Sequence, residues 1–160
     1  MCIRDRNVDE FGNKLAMAAS KANANVSQLG EAILTVGGTA ANLKGGTTEL
    51  TTALGLLANV GIKGAEGGTH LRNIILSLQS PTKDAREVME QLGLEVYDTQ
   101  GNMRQLDDIL TDLNTSMSGM TQGGKDSVIN QLFNKTDLAA VNGLLAAQGC
   151  LLYTSPSPRD

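Results

Sequence analysis

The fold is decided by the stretch from Leu54 to Arg104, which reads LGLLANVGIKGAEGGTHLRNIILSLQSPTKDAREVMEQLGLEVYDTQGNMR. Its first residues are typical of the end of a helix that begins before the stretch, at a Gly46 or Thr47 cap. This helix is expected to end at Gly61, because glycine adopts the left-handed backbone that often follows a helix. The polar, glycine-rich residues 63–68 predict a loop. Apolar residues then recur at i, i+3, i+4 and i+7, and we expect them to form one helix face: Leu71, Ile74, Ile75 and Leu78.

The middle of this stretch predicts a break between two helices. Ser80 is a favourable capping residue, and Pro81 suits the first position of a helix because its missing N–H is not needed there. The helix that follows ends at Gly93, and Leu94 is expected to fold back onto it. Four apolar residues are expected on its inner face: Ala85, Val88, Met89 and Leu92.

The end of the stretch predicts a small β-hairpin over residues 94–104. Glu95-Val96-Tyr97 is short and β-prone, and Asp98-Thr99-Gln100-Gly101 has the composition of a turn. Asn102-Met103-Arg104 would then return as the second strand. The hairpin is expected to lie between two helices.

Helical spacing of apolar residues continues on both sides of the stretch. Asn25 and Gln28 have the spacing of a capping box, which predicts a helix from Asn25. Gly37-Gly38 interrupts its apolar pattern, so the helix is expected to bend there or to end late, near Leu43. Thr136 or Asp137 is predicted to cap the last helix. Further helices are predicted at residues 8–23, 106–117, 128–133 and 138–145. The predicted fold class is all-α, with seven or eight short helices packed as an irregular bundle and one small β-hairpin near residues 94–104.

The central stretch and the residues that follow it also carry a family resemblance. In this order and spacing they resemble the core region of phage tail tape measure proteins, over about Phe11 to Ala147. The matching positions are Gly61, Ile62, Lys63, Gly64, Gly68, Thr69, Leu71, Arg72, Pro81, Thr82, Leu92, Gly93, Asp98, Gly101, Asn102, Met103, Arg104, Leu106, Asp108, Ile109 and Leu110.

The resemblance implies a structural role in a phage virion tail. Several copies would form a homo-oligomer in the lumen of the growing tail, and the length of the whole polypeptide would set the tail length. The protein would then leave ahead of the DNA during ejection. Implied partners are the tail tube, the baseplate and a tail assembly chaperone, with the host cytoplasm as the site of assembly.

The two ends of the chain differ from its interior. Residues 1–6 (MCIRDR) and 150–160 (CLLYTSPSPRD) resemble translated sequencing-adapter tails of metagenomic reading frames, so we exclude them from fold reasoning. We expect residues 7–149 to be an internal, helical tape measure fragment of a longer protein. The cysteines, Cys2 and Cys150, both lie in these ends, so the interior has no thiolate metal site or disulfide.

Composition excludes several other functions for the interior. Residues 7–149 contain ten lysines and arginines against fifteen aspartates and glutamates, a net charge of −5. Binding to nucleic acid needs a basic face, so no nucleic-acid specificity is expected. No apolar run approaches the ~20 residues that span a bilayer, so we expect no membrane segment. The core must be built almost without aromatic residues.

One glycine-rich segment partly matches a phosphate-binding loop. Residues 119–126 (GMTQGGKD) fit GxxxxGK, but Asp126 stands where the motif needs the hydroxyl of Ser or Thr to bind magnesium. The residues before it have helical spacing, whereas the motif follows a strand. We therefore interpret residues 118–124 as a loop between helices.

The charged residues also favour structural roles. His70 is the only histidine, with Glu66 as a possible i, i+4 partner, and it lacks the further ligands of a metal site. Asp107, Asp108 and Asp112 lie in the first turns of a helix, where they favour the helix dipole. Arg72 and Arg104 are expected to tie the glycine-rich loop and the hairpin to the helices. We predict no catalytic residue, no cofactor and no metal ligand, and hence no enzyme.

Two alternatives to a tail protein stay open from sequence. One is a helical protein-interaction module of a bacterial surface or secreted protein, which genomic neighbours would distinguish. The other is a hydrolase that uses the acidic cluster, which an assay on cell-wall substrate would detect. The hydrolase ranks last, because no set of acid, base, nucleophile or metal ligands is recognisable in the sequence.

Overall fold

Eight α-helices form the described part of the chain. The computed structural model describes the backbone of residues 2–22 and 24–147, and the side chains of residues 12–22, 24–41 and 43–147. The prediction of an all-α fold with seven or eight helices is confirmed. The helices are α1 (Cys2–Lys21), α2 (Val26–Val36), α3 (Gly46–Asn59), α4 (Gly64–Gln79), α5 (Lys83–Leu92), α6 (Leu106–Ser116), α7 (Gln122–Leu132) and α8 (Leu138–Ala146), with 3₁₀ turns at Gly37–Asn42 and Lys135–Asp137.

The predicted β-hairpin at residues 94–104 is wrong. Within the described residues this segment contains one isolated antiparallel bridge, between Tyr97 and Met103, and no strand. The N–H of Leu94 still donates to the carbonyl of Met89 in α5, and α6 begins at Leu106. Too few residues therefore remain on either side of the turn to form a ladder. Tight turns and strands share the same local composition, which explains the error.

The predicted loop at residues 63–68 is also wrong, because α4 already begins at Gly64. Gly67 and Gly68 are buried within the helix. A Cβ atom on Gly68 would lie 2.3 Å from the carbonyl oxygen of Ala32 and 2.8 Å from Cβ of Thr35, both on α2. Gly68 therefore allows close contact between two helices, and α2 with α4 is the most extensive helix pair of the fold.

Several local signals are confirmed at the atomic level. The capping box is complete, with Gln28 N donating to Asn25 Oδ1 (2.8 Å) and Asn25 N donating to Gln28 Oε1 (3.2 Å). Gly93 has a φ of 65°, and Leu94 N donates to the carbonyl of Met89, which together form a Schellman motif. The sequence alone was sufficient here because each contact joins residues at most five apart.

Other helix boundaries differ from the prediction. Thr82, not Ser80, caps α5, since its Oγ1 accepts from Ala85 N. Gly45, rather than Gly46 or Thr47, is the N-cap of α3. The helix α2 ends at Val36 and is followed by a 3₁₀ turn, because Gly37 has a φ of 57°.

One continuous hydrophobic core joins all eight helices. The predicted face of α4 is confirmed, since Leu71, Ile74 and Ile75 are fully buried. The apolar face of α6 lies in the same core, where it meets α8. The predicted artefact at residues 150–160 lies outside the described residues.

Candidate functional site

The first polar cluster connects α4 to the start of α8. His70 Nδ1 lies 2.6 Å from Asp137 Oδ1, and Asn73 Nδ2 donates to the same oxygen at 3.3 Å. Asp137 is completely buried, and its Oδ2 has no hydrogen-bond partner among the described residues. Glu66, the partner expected from sequence, is exposed, with Oε1 3.9 Å from His70 Nε2. The buried acid is thus the main partner of His70.

This arrangement corrects the predicted role of Asp137. Asp137 does precede α8, but its side chain makes no capping hydrogen bond and turns toward α4 instead. His70 and Asp137 are 67 residues apart, so no local sequence pattern predicts their contact. With Nδ1 in contact with Asp137, the other ring nitrogen, Nε2, faces Glu66, an acid rather than a nucleophile. The cluster therefore joins two helices.

A single carboxylate holds the beginnings of α3 and α6. Glu49 Oε2 accepts from Gly45 N at 2.8 Å, and Glu49 Oε1 accepts a hydrogen bond from Leu106 N. Both donors belong to helix N-termini, where free N–H groups and the helix dipole favour a negative charge. The role of Glu49 was not predictable from the sequence, because its partner Leu106 is 57 residues away.

The turn before α6 is fastened by Asp98 and Arg104. Asp98 Oδ1 accepts from the backbone N–H groups of Asn102 (3.0 Å) and Gln100 (2.9 Å). These bonds, chiefly that of Asn102, lower the pKa of Asp98, and nearby Lys44 acts in the same direction against partial desolvation. Arg104 Nη1 donates to Glu95 O and to Asp112 Oδ2. The prediction that Arg104 ties this turn to a helix is confirmed.

Arg72 behaves differently from Arg104. It is exposed on α4, and no described group forms a hydrogen bond or ion pair with it. The glycine-rich segment that it was predicted to anchor is itself part of α4. The predicted role of Arg72 is therefore wrong.

The three acidic residues of α6 have separate environments. Asp112 pairs with Arg104 at 2.7 Å, and Asp108 is exposed. Burial, with a smaller contribution from the charge of Asp108, raises the pKa of Asp107. Its Oδ1 is buried without a partner in the described region. Across the residues that the structure describes, no three His, Cys, Asp or Glu side chains are placed to hold a metal ion.

The segment that partly matches a phosphate-binding loop is mostly helical. Because α7 begins at Gln122, residues 123–126 lie in its first turns, and the predicted loop at 118–124 is too long. The preceding element is α6, not a strand. Thr121 caps α7 by accepting from Gly124 N, and Asp126 accepts from Gln122 Nε2. The acid at the hydroxyl position thus bonds within its own helix.

An apolar groove lies between α1 and α3 on the surface of the described residues. Its walls are Met17 and Ala18 on one side and Thr48, Thr52 and Leu56 on the other. The two helices meet at its closed end, where a Cβ atom on Gly55 would lie 3.2 Å from Cβ of Ala22. The groove holds about 140 Å³. In the described helices, no segment is long and apolar enough to cross a bilayer.

Comparison with known proteins assigns this arrangement to a family. The family described as phage-related minor tail protein matches residues 3–134. The tape measure protein of Pneumococcus phage Dp-1 is 33% identical over 132 residues, which cover 82% of this chain and 12% of the relative. The probable tape measure protein of Escherichia phage P2 is 28% identical over 109 residues, covering 68% and 13%.

The chain spans about an eighth of the length of these relatives. No solved structure matches it. The family match covers most of the chain and includes the α2–α4 pair, the turn at residues 94–104 and the α6 helix. The resemblance inferred from the central stretch is confirmed, and the chain belongs to the phage-related minor tail protein family.

Proposed function

We propose that this chain is a structural, non-catalytic segment of a phage tail tape measure protein. The observation that carries the proposal is the 33% identity to the tape measure protein of Pneumococcus phage Dp-1 over 132 residues. The polar clusters are consistent with it, because His70–Asp137, Glu49–Leu106 and Arg104–Asp112 each join one element to another.

In the proposed role, several copies of the whole protein lie in the lumen of the growing tail. Tail-tube subunits assemble around them in the host cytoplasm, and the polypeptide length sets the tail length. The protein leaves the virion tail ahead of the DNA during ejection. Its partners are the tail tube, the baseplate, a tail assembly chaperone and other copies of itself.

Within that protein, this segment is a compact domain rather than an extended helix whose length adds to the length of the tail. Its 132 matched residues would measure roughly 200 Å as one straight helix, at ~1.5 Å per residue. A compact domain of this size has a radius of gyration of about 15 Å and spans roughly 40 Å. The continuous core supports the compact form. Such a body suits a docking or initiation point at the baseplate.

The test uses the tape measure protein of Pneumococcus phage Dp-1. Replacing the matched segment of the phage Dp-1 protein by the described residues of this chain, through the end of α8, should give infectious particles with tails of normal length in negative-stain electron microscopy. Deleting the segment should abolish or impair tail assembly. Failure of the replacement to enter tails, while the native segment does, would refute the proposed function.

A tandem duplication separates the two parts of the proposal. A second compact copy should lengthen the tail by no more than roughly 40 Å. Lengthening by roughly 200 Å would refute the compact, docking role and retain the tape measure role.

A further inference from the structure

The groove between α1 and α3 is largely apolar, although three threonines line it: Thr48, Thr51 and Thr52. Thr52 Oγ1 donates to the carbonyl of Thr48 at 2.7 Å, and Thr51 Oγ1 donates to that of Thr47 at 2.8 Å. With their hydroxyl groups bonded to their own helix, these threonines can present methyl groups to the groove. Met17 lies at the opposite wall and is 51% exposed. Among the residues that the structure describes, no side chain fills this hydrophobic groove.

The size of the groove fits one large side chain. Its volume of about 140 Å³ is close to that of an apolar cavity that accommodates benzene, about 150 Å³. The chain itself carries a matching residue on another helix. Leu34 of α2 is 82% exposed, more than any other large apolar side chain described, and Val26 is 49% exposed two turns earlier on the same side.

Charge also matches between the groove and α2. Lys14 and Lys21 lie along the α1 side of the groove, about 10 Å apart along the helix axis and on either side of Met17 and Ala18. Glu31 precedes Leu34 by three residues, or about 4.5 Å. With Leu34 inserted beside Met17, Glu31 falls next to one of the two lysines. Lys14 already has another interaction, so the pairing is assigned to Lys21.

We propose that this groove binds α2 of a second copy of the same chain, with Leu34 as the inserted side chain and Glu31 beside Lys21. Every copy carries both the groove and the projecting residue, so the chain is complementary to itself. The inference concerns the isolated chain and does not depend on the proposed role in tails.

The test measures self-association of the 160-residue chain by sedimentation velocity over a range of concentrations. The wild type should associate, and Leu34→Gln should weaken association at least about tenfold, since it removes the inserted apolar side chain. Met120→Gln is the matched control, because Met120 is also an exposed apolar residue, in the turn between α6 and α7. It should leave association unchanged.

A charge exchange tests the orientation. Lys21→Glu and Glu31→Lys should each weaken association, and the double variant should restore it. Glu31 also lies near the start of α4, so circular dichroism melts of each variant must show an intact fold. A wild type that stays monomeric, an equal effect of Leu34→Gln and Met120→Gln, or a double variant as weak as the single ones would overturn the proposal.

Discussion

Adding one methyl group at Gly68 should destabilise the whole fold. In Gly68→Ala the new Cβ would lie 2.3 Å from the carbonyl oxygen and 2.9 Å from Cα of Ala32. Both are backbone atoms of α2, so the helix itself must move away from α4. Leu29, Ala32 and Val36 are all buried, and such a movement would loosen their packing.

The expected magnitude comes from two opposing contributions. Overpacking of a well-packed core lowers the free energy of unfolding by up to about 3 kcal/mol. The higher helix propensity of alanine raises it by about 1 kcal/mol. The net loss is about 2 kcal/mol, which at about 4 °C per kcal/mol lowers Tm by roughly 8 °C. Thermal and urea unfolding followed by circular dichroism measure both quantities.

The matched control is Gly30→Ala on α2. An added Cβ there meets no atom within 4 Å, so only the helix propensity changes, and Tm should rise slightly. If Gly68→Ala were as stable as the wild type or more stable, the close contact between α2 and α4 would not exist as described. Interpretation of residues 63–68 as a loop would predict that neutral result.

Three further predictions concern the polar clusters. His70→Ala should lower the free energy of unfolding by about 3 kcal/mol, because it leaves Asp137 as a buried acid without its main partner. Glu66→Ala should change it by less than about 0.5 kcal/mol. Equal losses for the two variants in urea unfolding would contradict the assignment of Asp137 as the main partner of His70. Glu49→Ala should cost about 1–3 kcal/mol, since two helix N-termini lose an acceptor, and a variant with unchanged Tm would argue against the double cap. Burial raises the pKa of Asp107, so the stability it contributes is present below its unfolded-state pKa and is lost as pH rises through the folded-state pKa. Asp107→Asn should therefore raise Tm at pH 7 but not at pH 3, and a lower Tm at pH 7 would refute the sign.

The comparison between sequence and structure separates local from distant interactions. The capping box of Asn25 and Gln28, the helix end at Gly93 and the apolar face of α4 were all predictable. Each depends on residues within about two helical turns, and helical geometry converts their spacing directly into contacts. The family resemblance rests on the same kind of ordered pattern along the chain.

The tertiary structure alone decided how those helices meet. Gly67 and Gly68 have the composition of a loop, but both are buried in α4, and the contact of Gly68 with α2 overrides the weak helix propensity of glycine. Residues 95–104 favour a hairpin, yet the adjoining helices leave room for only one bridge. The partners His70 and Asp137, and likewise Glu49 and Leu106, are more than fifty residues apart. Such pairs form only after packing brings their helices together, because nothing in the local spacing of one partner specifies the other.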